Sequence, residues 1–198
     1  CIRDSIPCYY NEKNIPVTSQ ALLENEKNFP ADVTFEYVMV DDGSKDKTFE
    51  ALQTFHQQHP DKVKVVKLAR NFGSFNAILA GLNHASGDCF VFLAADLQDP
   101  IDIIPKMYDY WKKGLKLVIA NRSDRKEPFL KKMFANIYHT LLRKLAFGNI
   151  PTGGFDFIFF DKQLKQHILE IDEKNTNIFY LIAWLGFDFV SIPYVRQE

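Results

Sequence analysis

Five carboxylates stand where polar turns interrupt short apolar runs: Glu12, Asp41, Asp42, Asp96 and Asp99. Carboxylates cannot hold a diphosphate directly, because like charges repel, but they can grip a divalent cation that bridges to phosphate oxygens. They can also accept hydrogen bonds from a base or a ribose. The bland alternative makes each one a turn former or cap at a strand end. That alternative accounts for any single one more easily than for five together. No Gly-x-Gly-x-x-Gly follows a strand and no phosphate loop with Gly-Lys-Ser/Thr occurs, so the common dinucleotide and triphosphate cradles lose their anchor.

Such residues act together only if a scaffold brings the turns to one edge. Ser5 to Cys8, Phe35 to Val40, Val63 to Leu68, Cys89 to Leu93 and Leu117 to Ala120 read as strands. Phe49, Leu52 and Phe55 mark one intervening helical face, and Phe75, Ile78, Leu79 and Leu82 mark another. Ser44 or Asp46 is the expected N-cap of the first of these, and Gly73-Ser74 opens the second. This alternation predicts βα units around a mainly parallel sheet, with ligands beyond the carboxyl ends of the strands. Further on, Phe155 to Phe160 and Phe187 to Pro193 read as strands, and Lys162 to Glu170 and Asn177 to Leu185 as helices.

A length of 198 residues suits one domain with a real core. A net charge of -1 supplies no field toward nucleic acid, which is excluded as a first expectation. Cys1, Cys8 and Cys89 are too few and scattered for a disulfide framework or a zinc site, and fit a reducing environment. The five histidines lack metal-ligand spacing. Trp111 and Trp184 are expected in core or subunit contacts. The longest apolar runs, Cys89 to Ala95 and Ile178 to Phe187, fall short of the roughly 20 residues that span a bilayer. With no initiating Met, and no capping pattern at Glu198, the chain reads as a fragment of a longer one.

Six ordered segments carry a resemblance: Ile6-Pro7-Cys8-Tyr9-Tyr10-Asn11-Glu12, Val40-Asp41-Asp42-Gly43-Ser44, Ala69-Arg70-Asn71-Phe72-Gly73, Ala95-Asp96-Leu97-Gln98-Asp99-Pro100, Asn121-Arg122 and Gly154-Phe155-Asp156-Phe157. Across almost the whole chain this resembles the family 2 glycosyltransferases, and within them the polyprenyl-phosphate sugar transferases, which include the dolichyl-phosphate mannose synthases. The resemblance implies a GT-A (Rossmann-like) three-layer α/β/α fold. Residues 1–120 would form the nucleotide-sugar-binding half and 121–198 the acceptor half. It implies a nucleotide-sugar site of Pro7, Tyr9, Glu12, Asp41, Asp42, Ala95, Asp96 and Arg122. Asp96 and Gln98 would ligate Mg²⁺ or Mn²⁺ on the donor diphosphate. Arg122 would touch the phosphates and Asp156 would face the acceptor, and these two are the expected catalytic residues.

The implied reaction is single displacement at the anomeric carbon, with inversion. A hydroxyl acceptor, as in polysaccharide synthesis, needs a general base, for which Asp156 is the candidate. A polyprenyl phosphate is already ionised near neutral pH and needs cations instead, which Arg122, Arg125 and Lys126 could supply. The chain departs from the family at Ala94-Ala95-Asp96, where Asp-Ala-Asp is usual. One carboxylate is therefore missing, which leaves a catalytically impaired nucleotide-sugar-binding module as the alternative. A nucleotidyltransferase would share acidic metal sites but usually brings a Gly-rich loop, absent here.

Residues 121–147 carry seven Lys or Arg against Asp124 and Glu127, a net of +5. Leu130, Met133, Phe134, Ile137, Leu141 and Leu145 give residues 128–147 an apolar stripe. As an ordinary surface helix, this segment would pack that stripe on the sheet. Alternatively it would lie in a membrane interface, with Lys131, Lys132, Arg143 and Lys144 toward anionic headgroups, and present the site to a lipid. The family often continues into membrane helices, so the expected location is the cytoplasmic face of a membrane, peripheral or as the catalytic domain of a membrane protein. A homo-oligomer is compatible with the apolar content.

Overall fold

The computed structural model of the chain describes residues 1–122, 157–171 and 177–195. The basic segment 128–147 and Asp156 lie outside the described residues. Seven strands form one sheet: β1 (Ile2–Cys8), β2 (Phe35–Asp41), β3 (Val63–Lys67), β4 (Cys89–Phe92), β5 (Leu117–Arg122), β6 (Phe157–Asp161) and β7 (Phe189–Tyr194). Their order is β3-β2-β1-β4-β6-β5-β7. The β1-β2, β1-β4, β2-β3 and β5-β7 pairs are parallel, and β6 runs antiparallel to β4 and β5. The mainly parallel sheet is as expected.

Most interior strands carry unbroken apolar runs because both faces are covered. In β2, Tyr37 and Met39 enter one core layer while Val38 and Val40 enter the other. In β6, Phe157 and Phe159 divide from Ile158 and Phe160 in the same way. Helices α1 (Ile15–Asn25), α2 (Thr48–Gln58) and α4 (Ile104–Lys112) contribute Ile15, Leu22, Leu52, Phe55 and Met107 to the first layer. Helices α3 (Ser74–His84), α5 (Lys162–Glu170) and α6 (Ile178–Trp184) contribute Ala77, Leu82, Leu164, Ile168 and Ile182 to the second. The result is a three-layer α/β/α arrangement.

β1 begins at Ile2, three residues before the expected start. Polar residues hide that beginning: Asp4 is buried, and Arg3 Nε lies 3.5 Å from Glu36. Helix α1 shows no clean apolar stripe because its buried face includes Thr18, whose hydroxyl donates to the Ala95 carbonyl at 2.7 Å. At α2 the cap position is Lys47, although Asp46 Oδ1 still accepts the Thr48 amide at 3.1 Å. Trp111 packs on the first layer and donates its indole N–H to Asp161 at 2.9 Å, whereas Trp184 is 64% exposed. Among the described residues no helix is long and apolar enough to cross a membrane.

Register positions the site. Cys8 pairs with Asp41, so β1 and β2 end level. From β1 the chain builds outward through β2 and β3 and then returns to add β4 on the other side, which opens a crevice at the reversal.

Candidate functional site

Each loop around this crevice is tied down by side chains from its neighbours. Asp42, just after β2, spends both carboxylate oxygens on backbone: Oδ1 accepts the Phe72 amide at 2.8 Å and Oδ2 the Gly73 amide at 2.9 Å. Gly43 has φ +73°, and a Cβ there would stand 2.5 Å from the Arg70 carbonyl carbon. The loops at residues 41–44 and 70–73 are thus locked together. Asp41 is fully buried; its Oδ1 accepts the Ser44 amide at 3.0 Å, while Oδ2 finds no hydrogen-bond partner among the described residues. The Ser44 hydroxyl in turn accepts the Tyr10 amide at 3.1 Å, which holds the loop after β1.

An open cleft of about 360 Å³ lies between these loops and the segment after β4. Pro7, Tyr9, Asp42, Ala95 and Asp96, five of the residues that the resemblance implies for the donor, are on its wall, together with Asn11, Asn71, Gly73, Ser74 and Ala94. Tyr9 offers an exposed ring, packed edge-on against Tyr10 at 4.6 Å. Three expected members, Glu12, Asp41 and Arg122, are not on the wall. Glu12 Oε2 accepts the Lys47 amide at 3.0 Å and so fastens the start of α2. Asp41 is sealed beneath its own turn. The Cys8 thiol, although on the wall, is pushed up by burial and further by Asp41, so it stays protonated.

Beyond β4, Leu97 takes φ +53° and Asp96 Oδ1 accepts the Gln98 amide at 3.3 Å, which leaves Asp96 and Gln98 exposed. Asp99, by contrast, is buried and accepts the Tyr194 hydroxyl at 2.6 Å. Tyr194 is the register partner of Arg122 at the ends of β7 and β5, and its hydroxyl oxygen accepts Arg122 Nε at 3.2 Å. Burial, and then the bond to Asp99, push the Tyr194 hydroxyl up to about 12, which keeps it a donor. Arg122 stands in this chain of bonds and is not on the cleft wall. Tyr194 was not foreseen, since nothing in its local sequence marks it; Asn71 lay in a recognised segment without an assigned role, and Gly73 was expected only to open the helix that follows.

A divalent cation can be tested against this donor set. Among the described residues no three His, Cys, Asp or Glu side chains converge as a cage. The oxygens of Asp42 are engaged by amides, and Ala94 brings none. Asp96, with Gln98 two residues on, therefore fits a cation whose remaining ligands are phosphate oxygens and water, as Mg²⁺ commonly arranges.

Comparison with known proteins agrees with this architecture. Residues 5–169 match Glycosyl transferase family 2. The glycosyltransferase YkcC of Bacillus subtilis is 36% identical over 194 residues, covering 98% of this chain and 59% of that protein. The bactoprenol glucosyl transferase of Shigella phage SfV is 33% identical over 194 residues, covering 98% of this chain and 62% of that protein. The chain spans about three fifths of the length of these relatives. Mannosyltransferase PcManGT from Pyrobaculum calidifontis, solved with GDP-Man and Mn²⁺, shares the fold with a TM-score of 0.67, at 21% identity over 98% of this chain and 55% of that one. The α/β architecture is therefore the GT-A fold, and the chain belongs to glycosyl transferase family 2.

Proposed function

We propose that the protein transfers a sugar from a nucleotide-diphosphate sugar to a polyprenyl phosphate, with inversion at the anomeric carbon. The observation that carries this reading is the cleft at the ends of β1, β2 and β4, walled by Pro7, Tyr9, Asp42 and Asp96, in a family 2 chain. The name of the phage relative, bactoprenol glucosyl transferase, supports a lipid-phosphate acceptor.

Pro7 and Tyr9 hold the nucleoside, Tyr9 through the face of its ring. Asp42 acts by fixing the wall at Phe72 and Gly73, and Ala95 lets the donor approach the backbone. Asp96 and Gln98 would hold Mg²⁺ or Mn²⁺, which supplies charge neutralisation for the departing diphosphate. Arg122, bonded to Tyr194, would supply a guanidinium for that charge. Asp156 faces the acceptor, and residues 121–198 form the acceptor half. Basic residues 128–147 bring the site to anionic headgroups, on the cytoplasmic side of a membrane.

The experiment is calorimetric titration with UDP-, GDP- and CDP-sugars, with and without Mn²⁺, beside a turnover assay with polyprenyl phosphate in vesicles. Metal-dependent binding with formation of a lipid-linked sugar is expected. Binding without turnover would favour the binding module that Ala94 suggests, and no binding at all would overturn the assignment.

A further inference from the structure

The bond from Tyr194 to Asp99 joins two parts of the fold that are distant in the chain. Asp99 lies three residues beyond Asp96 in the segment after β4, and 95 residues before Tyr194 in the chain. Tyr194 ends β7, the outermost strand on that side of the sheet, and is paired in register with Arg122 of β5. Both Tyr194 and Asp99 are 5% exposed, so the bond is shielded from competing water. Its 2.6 Å length suits a hydroxyl donating to a carboxylate. The same oxygen accepts Arg122 Nε at 3.2 Å, so one hydroxyl meets the Asp99 carboxylate and the guanidinium together.

We propose that Tyr194 is a positioning residue: its hydroxyl holds the Asp96–Asp99 segment and Arg122 in one arrangement, and so sets the part of the site that meets the donor's diphosphate. This rests on the reading of the cleft as a nucleotide-sugar site. The nucleoside end, at Pro7 and Tyr9, is held by separate contacts through Asn11 and Ser44. A defect at Tyr194 should therefore be felt by the diphosphate and hardly by the nucleoside.

Calorimetry of the full chain with UDP, GDP and CDP plus Mn²⁺, and with the matching monophosphates, reads this directly. For the base that binds, Tyr194→Phe is expected to weaken Mn²⁺-dependent diphosphate binding about tenfold, the loss of one charge-assisted hydrogen bond, and to leave monophosphate binding within about twofold. Equal losses for both ligands would mark general damage, and no loss would mark an idle contact; either overturns the proposal. Hydrogen exchange on the unaltered chain guards against a variant that fails to fold. Binding of the Mn²⁺-diphosphate should slow exchange in residues 189–194 as well as 94–99, because coupling is reciprocal. Protection confined to the cleft loops would count against the coupling. Failure of the unaltered chain to bind any nucleotide would instead overturn the proposed function, and this inference with it.

Discussion

Asp42 Oδ2 accepts the amide of Gly73 at 2.9 Å, and through this bond the residue after β2 shapes the opposite wall of the cleft. The partner bond to Phe72 uses the other oxygen, so the carboxylate serves as a two-pronged clamp on backbone. Asp42→Asn turns one prong into a donor facing a donor. A loss of about 1–3 kcal/mol in urea unfolding is expected, together with weaker binding of the nucleotide-sugar. Unchanged stability and binding would show that the clamp is dispensable.

The approach of Gly43 to Arg70 makes a second test of the same junction. Gly43→Ala meets both a positive φ and backbone at 2.5 Å, so a cost of about 3 kcal/mol or more is expected. Gly114→Ala has φ +98° but nothing within 4 Å, and should cost only about 1–2 kcal/mol. Thermal unfolding of the pair separates steric clash from strain, and equal losses would refute the close approach.

Ala94 shares the cleft wall with Asp96. Ala94→Asp would add a second carboxylate for a cation bound beside the donor phosphates. Mn²⁺-dependent nucleotide binding is expected to tighten by about tenfold, roughly 1.4 kcal/mol. Calorimetry with an unaltered affinity would deny this position any part in metal binding.

Far from the cleft, burial raises Asp4 from 3.8 to about 7, with Glu26 adding to the shift and Arg3 opposing it. Because the folded pKa exceeds the unfolded one, the stability linked to this group is present below 3.8 and lost as pH rises toward 7. Asp4→Asn cannot ionise and removes that slope. Relative to the unaltered chain, it should gain up to about 4 kcal/mol at pH 8 and nothing at pH 4. Denaturant midpoints at the two pH values check this, and a gain independent of pH would point to another cause.

Local chemistry was readable from the linear chain. Apolar runs bounded by polar turns define most of the strands, since a strand covered on both faces needs nothing but apolar side chains. The spacing of Leu52 and Phe55, or of Ile78 and Leu82, defines α2 and α3 in the same local way. The six ordered segments were likewise sufficient for the family, and they marked Pro7, Tyr9, Asp42 and Asp96 before any fold was in view. Polar residues that are buried, such as Asp4 in β1 and Thr18 in α1, concealed their elements because their burial depends on distant partners.

Tertiary structure alone decided what each carboxylate does. Glu12, Asp41, Asp42, Asp96 and Asp99 look alike along the chain, yet two fasten loops through backbone amides, one caps its own turn, one opens to the cleft and one accepts a tyrosine hydroxyl. A carboxylate's role is set by which donors surround it, and those donors come from residues up to 95 positions away. Tyr194 reaches Asp99 only because β7 pairs in register with β5, a relation between strands far apart in sequence that no local pattern encodes.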